Sequence, residues 1–418
     1  MIFQIVEKIR PFLLKIFPQA FLKKIKNKIV EDKEKRMLLS EIPAFDANYY
    51  LKGVNVIGPL KSQNGLGQSC RLIAEIIKET GLGYALYDYC MTKNIARNDH
   101  TFDEELTQKL SYGINLIHLN PFELRMAYLD LGKELPAHRY NIGYWLYELE
   151  DIPADWLPAL ALVDEIWTPS EYISSNFRKI TDKPVYTQSY CVTAPVMEQC
   201  DRKYFSLPED QFLYLVMYDS KSTQARKNPM GAIKAYKQAF PQENKDAGLI
   251  IKINNAADED MDLLKKELAD YQNVFFITDT LPKTEVNSLI KAADVFISLH
   301  RAEGYGLVMA EAMINGTVCV ATNYSSNTEF MNDDVACMIG YDLVPLEGDT
   351  GFYLKNSKWA EPHLDEAAAG IRRLYEDPDY YSGLQTRAQT YINKKMDRET
   401  IVSCLRNRLE QIYQNADK

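Results

Sequence analysis

Short apolar segments alternate with helical patterns along almost the whole chain, and this alternation constrains the fold most. The apolar segments of the first half are Val54–Ile57, Ile114–Leu119, Asn141–Leu146 and Glu165–Thr168. Gln68–Glu79 between them has the apolar spacing of a helix. Such alternation is typical of parallel sheets whose connections are helices. Thr168, followed by Pro169 and Glu171, is the expected N-cap of the next helix.

The pattern resumes after an aperiodic stretch, Cys191–Leu207, which we predict to be a linker. The predicted strands of the second half are Phe212–Met217, Leu249–Ile253, Val274–Thr278, Val295–Leu299 and Val318–Ala321. Its predicted helices are Pro229–Phe240, Lys283–Ala292, Leu307–Ile314, Asp365–Tyr375, Tyr380–Asn393 and Arg398–Asn415. We therefore predict two doubly wound, Rossmann-like α/β domains facing a central cleft, followed by a helical tail.

The predicted boundaries follow from these patterns. Residues 1–45 form a basic amphipathic segment, 46–195 the N-terminal domain and 196–385 the C-terminal domain, while 386–418 form a helix that returns to the N-terminal domain. The seven cysteines include no C-x-x-C pair and the five histidines no H-x-x-x-H pair. We therefore expect reduced thiols, no metal site and no bound cofactor.

The charge is unevenly distributed along the chain. Residues 1–36 hold ten Lys/Arg and four Asp/Glu, so this segment carries +6 and the remainder −16 of a net −10. An acidic body argues against nucleic acid as the main ligand. The basic segment interleaves apolar residues with lysines, so it either contacts an anionic membrane surface or packs on its own protein as an amphipathic helix. We expect a cytoplasmic protein, peripheral on the inner face of the cell membrane.

The candidate site lies in the segment from Ala293 to Glu311. Glu303 follows a continuous apolar strand, and Gly304 and Gly306 allow close approach of the backbone to a ligand. The helix that begins near Leu307 offers free N–H groups to a phosphate, and Glu311 lies about one turn into it. This arrangement suits a nucleotide-activated sugar; the alternative is an ordinary βα loop with two exposed acids.

The spacing of Glu303 and Glu311, E-x7-E, resembles the donor-site signature of the retaining GT-B glycosyltransferases of family 4. The resemblance covers about residues 53–385. Asn64-Gly-Leu-Gly-Gln-Ser-Cys-Arg71 is similar to the N-terminal glycine loop of that family. Three further segments resemble a mannosyltransferase-like subgroup: 144–150, 164–171 and 219–229. The resemblance implies a GT-B fold.

The resemblance also implies roles on the donor side of the cleft. Glu303 would bind donor-sugar hydroxyls and Glu311 the ribose. Arg226 and Lys227 would neutralise the diphosphate. In the family the Arg commonly precedes the Lys by several residues, whereas here they are adjacent, so which cation contacts which phosphate is left open. Lys221 and Lys252 are the alternative cations. Arg301 is expected to face solvent. The remaining donor-binding positions are Gly304, Tyr305, Gly306 and Leu307, whose amides would touch sugar and phosphate, and Thr278 and Leu281 near the base.

On the opposite wall, Gly65, Leu66 and Gly67 match the loop that approaches the donor phosphates. His118, which follows a strand, matches the cleft histidine near the sugar, although a lone histidine is more often structural. Tyr144 and Glu148 are the expected acceptor-binding residues. The catalytic set implied by the resemblance is thus Glu303, His118, Arg226 and Lys227.

The function implied is retaining transfer of a hexose from a nucleoside diphosphate sugar to a glycan or lipid-linked acceptor, without a metal. Attack from the front face, with the leaving phosphate taking the proton, needs no dedicated base. GDP-mannose is the first expectation for the donor. The alternatives are a sugar-nucleotide epimerase of similar fold and a non-catalytic glycan-binding scaffold. A nicotinamide dehydrogenase is disfavoured because position 70 is Cys, which breaks the G-x-G-x-x-G fingerprint.

Overall fold

The structure is a computed structural model that describes residues 41–91, 95–350 and 353–416, together with Lys28, Asp32, Lys33 and residues 35–37. The basic segment of residues 1–36 therefore lies almost entirely outside the described residues, and its predicted contact with membrane stays a prediction. None of the helices in the described ranges has the length and apolar character needed to span a bilayer.

The first domain is built on a six-stranded parallel sheet. Its strands are β1 (Leu51–Gly58), β2 (Gly83–Asp88), β3 (Tyr112–Ile117), β4 (Tyr140–Tyr144), β5 (Glu165–Thr168) and β6 (Val185–Thr187). Its helices are α1 (Gly65–Glu79), α2 (Pro121–Leu131) and α3 (Glu171–Arg178), with a 3₁₀ helix over Ala154–Leu162. The strand order is β2-β1-β3-β4-β5-β6, so the order reverses between β1 and β3.

The second domain repeats the design with another six-stranded parallel sheet. Its strands are β7 (Phe212–Asp219), β8 (Ala247–Asn254), β9 (Val274–Ile277), β10 (Val295–Ser298), β11 (Val318–Thr322) and β12 (Cys337–Ile339). Its helices are α4 (Gln224–Lys227), α5 (Pro229–Ala239), α6 (Asp258–Glu267), α7 (Lys283–Ala292) and α8 (Leu307–Ile314), with a 3₁₀ helix over Ser326–Glu329. The order β12-β11-β10-β7-β8-β9 is that of a dinucleotide-binding Rossmann sheet, and it reverses between β7 and β10.

An antiparallel hairpin and three long helices complete the chain. These elements are β13 (Tyr341–Pro345), β14 (Lys358–Pro362), α9 (Leu364–Glu376), α10 (Pro378–Lys395) and α11 (Arg398–Ala416). Helix α11 lies against the first domain, where the Tyr413 hydroxyl donates to Gly53 O at 2.8 Å and Arg408 Nε donates to the buried Glu165 carboxylate at 2.9 Å. The C-terminal helix therefore ties the end of the chain to the first sheet.

The sequence prediction of the α3 cap was wrong. Thr168 belongs to β5, and its hydroxyl donates to Ser170 O at 2.9 Å. Ser170 is the N-cap, because its side chain accepts from Ile173 N at 3.3 Å. The sequence patterns also failed to predict six further parts of the fold: β2, β6, β12, the β13–β14 hairpin, α2 and α6.

Candidate active site

The two points at which strand order reverses face the same cleft. Ligands in such sheets bind beyond the carboxyl ends of the strands at a point of reversal. In the first domain this point lies between the loop after β1, which carries Gly65, and the end of β3, followed by His118. In the second it lies between the loop after β7, which leads to Arg226, and the end of β10, followed by Glu303. The topology thus places these four residues after the carboxyl ends of strands in the two sheets.

Glu303 is a buried carboxylate held by two cations. It is 7% exposed; one carboxylate oxygen forms an ion pair with Lys227 Nζ, and the other lies 3.4 Å from Arg226 NH1. Burial raises the pKa of Glu303, but Lys227, Arg226 and the nearby His300 outweigh burial and hold the pKa at about 2. Glu303 is therefore ionised and can accept hydrogen bonds only.

Helix α4 presents the two cations because it ends sharply. Asn228 follows it in the left-handed region, at φ 50°, and its side-chain amide donates to Leu299 O at 2.9 Å. Its side-chain oxygen accepts from Gly231 N and so caps α5. Arg301 fastens the same turn, since its amide donates to Arg226 O at 2.7 Å. Arg301 is not solvent-facing as expected: its guanidinium binds Ala225 O and Glu361.

The loop between Glu303 and α8 is buried in this structure, with Glu148 lying against Gly304. A Cβ on Gly304 would meet nothing closer than Glu148 Cγ at 3.6 Å, so packing alone does not require glycine there. Gly306 has φ 92° and is the N-cap of α8, and it has no side chain to cap the first N–H groups. The Tyr305 side chain is directed toward the first domain, where its hydroxyl hydrogen-bonds to Ser189 Oγ at 2.8 Å. Leu307 begins the helix and is half-buried.

Glu311 is buried with one oxygen unpaired. It is 1% exposed, and Lys283 Nζ contacts Oε1 at 2.5 Å. Oε2 has no hydrogen-bond partner among the described residues. Burial raises the pKa of Glu311 despite Lys283. A buried acceptor without a donor costs free energy, so this atom suits a ligand that donates a hydrogen bond, such as a ribose hydroxyl.

The glycine loop of the first domain opens helix α1. Asn64 caps the helix, accepting from Gly67 N at 2.8 Å. A Cβ on Gly67 would lie 2.1 Å from Ser62 O, so the packing demands glycine there, whereas a Cβ on Gly65 would meet nothing within 4 Å. Leu66 is half-buried between them. Gly65 is thus the position of the pair that stays open toward the cleft.

His118 is fully buried in a neutral network. Its Nε2 lies 2.7 Å from Ser69 Oγ, which also bonds to the Tyr190 hydroxyl, and its ring stacks on Tyr144 with centroids 4.6 Å apart. Nδ1 has no partner among the described residues. Burial lowers the pKa of His118 to about 3, so the imidazole is uncharged. The catalytic role implied by the resemblance stays a prediction.

Comparison with known proteins identifies the second domain. Residues 202–394 match the family described as glycosyl transferases group 1. We call these residues the group 1 domain. No curated protein matches the sequence.

Solved structures that match most of the chain have the GT-B fold. HepE from Anabaena, solved with UDP and glucose, is 13% identical with a TM-score of 0.62, covering 86% of this chain and 100% of HepE. Sucrose-phosphate synthase from Thermosynechococcus elongatus is 13% identical with a TM-score of 0.64, covering 87% and 100%. A glycosyltransferase from Rickettsia africae is 12% identical with a TM-score of 0.62, covering 88% and 100%. The predicted GT-B fold is thus confirmed, and with the group 1 domain it indicates a glycosyltransferase.

The two predicted acceptor-side residues differ in exposure. Tyr144 is fully buried, and its hydroxyl donates to Gln188 O at 2.7 Å. Glu148 retains 25% of its side-chain exposure and lies 3.9 Å from Arg226 NH2 of the group 1 domain. Only Glu148 of this pair presents a polar group to the cleft in this structure.

The predicted base-binding residues follow β9. Thr278 is exposed and Leu281 half-buried, and both lie beside the carboxyl ends of the strands of the group 1 domain. Of the alternate cations, Lys252 is buried against Asn254 Oδ1 and Asp279 O, whereas Lys221 is exposed. Among the described residues, no three His, Cys, Asp or Glu side chains are grouped so that they could hold a metal ion.

Proposed function

We propose that this glycosyltransferase moves a hexose from a nucleoside diphosphate sugar to a hydroxyl of a glycan or lipid-linked glycan, with retention of anomeric configuration and without a metal. The observation that carries the proposal is the ion-pair cluster of buried Glu303 and Arg226 with half-buried Lys227, beside the N-terminus of α8, which no side chain caps. A diphosphate bound there would meet cations and helix amides, next to a carboxylate that can only accept hydrogen bonds.

The diphosphate would take over the cations that now pair with Glu303. Lys227 keeps 29% of its side-chain exposure, so it can reach a phosphate from the cleft. Negative charge grows on the leaving phosphate as the glycosidic bond breaks. Two fixed cations and the helix N-terminus stabilise that charge more in the transition state than in the ground state, and this difference accelerates the step.

Glu303 and Glu311 would then grip the two ends of the donor. Glu303 accepts hydrogen bonds from hydroxyl groups of the hexose, and these bonds orient the anomeric carbon toward the first domain. Ribose hydroxyls donate to the free Oε2 of Glu311 and so satisfy the buried acceptor. The leaving phosphate accepts the proton of the attacking hydroxyl, so the chain needs no separate general base.

The donor identity is the finer part of the proposal. GDP-mannose follows from the subgroup resemblance, whereas the HepE structures hold UDP, glucose or UDP-glucose. UDP-hexoses and GDP-mannose are therefore the first donors to test. The acceptor would be presented at the inner face of the cell membrane if residues 1–36 bind anionic lipid. Deleting that segment should then abolish binding to phosphatidylserine vesicles; retained binding would contradict the anchor.

A panel of nucleotide sugars tests the central claim. A donor present at a hundredfold excess over its Kd stabilises the folded state by about 2.7 kcal/mol, which a thermal melt detects. NMR of the product then reports whether the anomeric configuration is kept, and chelators report whether a metal is required. If neither UDP- nor GDP-linked sugars nor the free diphosphates change the melting temperature, the proposal fails.

A further inference from the structure

The loop of the β13–β14 hairpin, which the sequence patterns did not predict, contacts the first domain. The two strands of the hairpin are joined by the loop of residues 346–357. At the base of that loop, Leu346 N donates to Ser357 O at 2.8 Å. Tyr353 in this stretch is 5% exposed, and its ring lies 6.0 Å from that of Tyr147 in the first domain. The hairpin of the second domain therefore packs on the wall that carries Glu148.

The hairpin is fastened to the loop that precedes Glu303. Arg301 Nε and NH2 bind the two oxygens of Glu361 at 2.6 and 2.8 Å, and the guanidinium carbon lies 5.2 Å from the centre of the Trp359 ring. Ala360 N donates to Arg301 O at 2.9 Å. Bidentate and stacked contacts of this kind fix orientation as well as distance. Tyr353 is thus carried by a segment whose position is set by the donor loop.

The Tyr353 hydroxyl lies among the charges of the candidate site. It lies near the Glu148 carboxylate, and burial together with the charge of Glu148 raises the pKa of Tyr353, so the phenol stays protonated and able to donate. Arg226 and Glu303 are also close enough to act on it electrostatically. A phenol that donates to a carboxylate keeps its oxygen lone pairs for a further donor.

Glu148 and Glu303 share one guanidinium. Arg226 NH2 lies 3.9 Å from Glu148 Oε1, and Arg226 NH1 lies 3.4 Å from Glu303 Oε2. Glu148 Cγ lies 3.6 Å from the Cβ position of Gly304, so the side chain rests against the same loop. The two carboxylates therefore meet at one cation, next to the donor loop.

We propose that Tyr353 and Glu148 form a sugar-hydroxyl subsite for the transferred hexose, opposite Glu303, and that they help to select the donor sugar. This rests on the proposed function and deepens it. It moves Glu148 from the acceptor, where the sequence analysis placed it, to the donor sugar. The hexose ring would be held by Glu303 on one side and by Glu148 and Tyr353 on the other. A sugar whose hydroxyls do not match these residues would leave buried polar groups unpaired and would therefore bind more weakly.

The test separates the sugar from the nucleotide by calorimetry. For UDP, UDP-glucose, UDP-galactose, UDP-N-acetylglucosamine, GDP and GDP-mannose, the ratio of the Kd of the diphosphate to that of its sugar conjugate isolates the sugar contribution. Tyr353→Phe keeps the ring and removes the hydroxyl, so the ratio for the preferred donor should fall about three- to tenfold while the Kd of the free diphosphate is unchanged. Glu148→Gln should lower the same ratio at least as much.

Matched controls come from the same hairpin. Tyr341, on β13, packs on Tyr324 with ring centroids 5.0 Å apart, so Tyr341→Phe makes the same chemical change outside the cluster and should leave the ratio as it was. In the double variant Tyr353→Phe, Glu148→Gln, the two effects should not multiply, because the residues act as a pair. Melting temperatures of all variants identify any that fail to fold.

Two outcomes would overturn the inference. If Tyr353→Phe and Glu148→Gln fold and bind every donor with the ratio of the unaltered protein, the pair does not touch the transferred sugar and belongs to the acceptor side or to the packing of the hairpin. If they weaken the diphosphate and the conjugate equally, they act on the cations and not on the sugar. Failure of the unaltered protein to bind any diphosphate is a different result, since it rejects the proposed function itself.

Discussion

The two walls of the cleft hold their polar groups in opposite ways. In the group 1 domain, Glu303 is ionised and buried against Arg226 and Lys227. In the first domain, His118 is equally buried but neutral, in a network of hydroxyl groups. The charged wall can receive a charged ligand by exchanging one ionic partner for another, whereas the neutral wall suits uncharged hydroxyls. The asymmetry is what the proposal uses to assign the diphosphate to the charged wall.

Glu303→Gln should break the charged wall most severely. The amide keeps the shape but donates as well as accepts, and it removes the ionic partner of Lys227 and the nearer of the two ionic partners of Arg226. We expect donor turnover to fall by a hundredfold or more, about 2.7 kcal/mol or more of transition-state stabilisation, while free UDP or GDP binds as tightly as before or more tightly. Steady-state kinetics and calorimetry measure the two effects. Transfer at the original rate would remove Glu303 from the mechanism.

Lys227→Gln tests the cation with the greater access to the cleft. Loss of a charge-assisted bond should weaken diphosphate binding by about 2 kcal/mol, or roughly thirtyfold. Lys234 lies exposed on α5 a few residues away, so Lys234→Gln changes the net charge equally and controls for long-range effects. Equal losses in the two variants would mean that Lys227 acts only through the overall field.

The donor wall was largely predictable because its signals are local. The ranges predicted for α7 and α8, Lys283–Ala292 and Leu307–Ile314, are those observed, since each combines an apolar face with an abrupt boundary. Glu303 and Glu311 follow from their place in the strand–loop–helix pattern. The topology that unites the two walls follows from the alternation of strands and helices.

The contacts that tune the site were not predictable, because their partners are distant in sequence. Arg301 meets Glu361 sixty residues later, and Lys283 meets Glu311 across 28 residues. Neither pair has a periodic signature. The β13–β14 hairpin was missed because β13 is half-exposed to fully exposed along its length and so lacks a buried apolar run. Thr168 and Ser170 are both residue types that can cap a helix, and the sequence pattern does not distinguish them. In the structure the Thr168 hydroxyl donates to Ser170 O, and Ser170 is the residue that caps the helix.

The glutamates at the two ends of the donor loop should respond to pH with opposite signs. The pKa of Glu303 is lowered to about 2, so its stabilising contribution is present above pH 4.5 and is lost as the pH falls toward 2. The pKa of Glu311 is raised, so its contribution is present below pH 4.5 and is lost as the pH rises through that raised pKa. Melting curves should be compared between about pH 2.5 and 8: relative to the unaltered protein, Glu303→Gln should diverge as the pH falls below 4.5 and Glu311→Gln as the pH rises above 4.5, by a few degrees in opposite directions. Parallel curves would contradict the difference between the two sites.

The neutral wall should give the smallest response to pH, because His118 does not change its charge near neutral pH. Because its pKa is lowered to about 3, the ring stays uncharged between pH 5 and 8, and its NMR signals should not shift over that range. The lowered pKa reduces the free energy of unfolding only at pH values where His118 is protonated in the unfolded chain and neutral in the folded chain. The loss therefore begins as the pH falls through about 6.5 and grows until about 3. His118→Gln should remove that slope, and a titration of His118 near pH 6.5 would show that the wall admits charge after all.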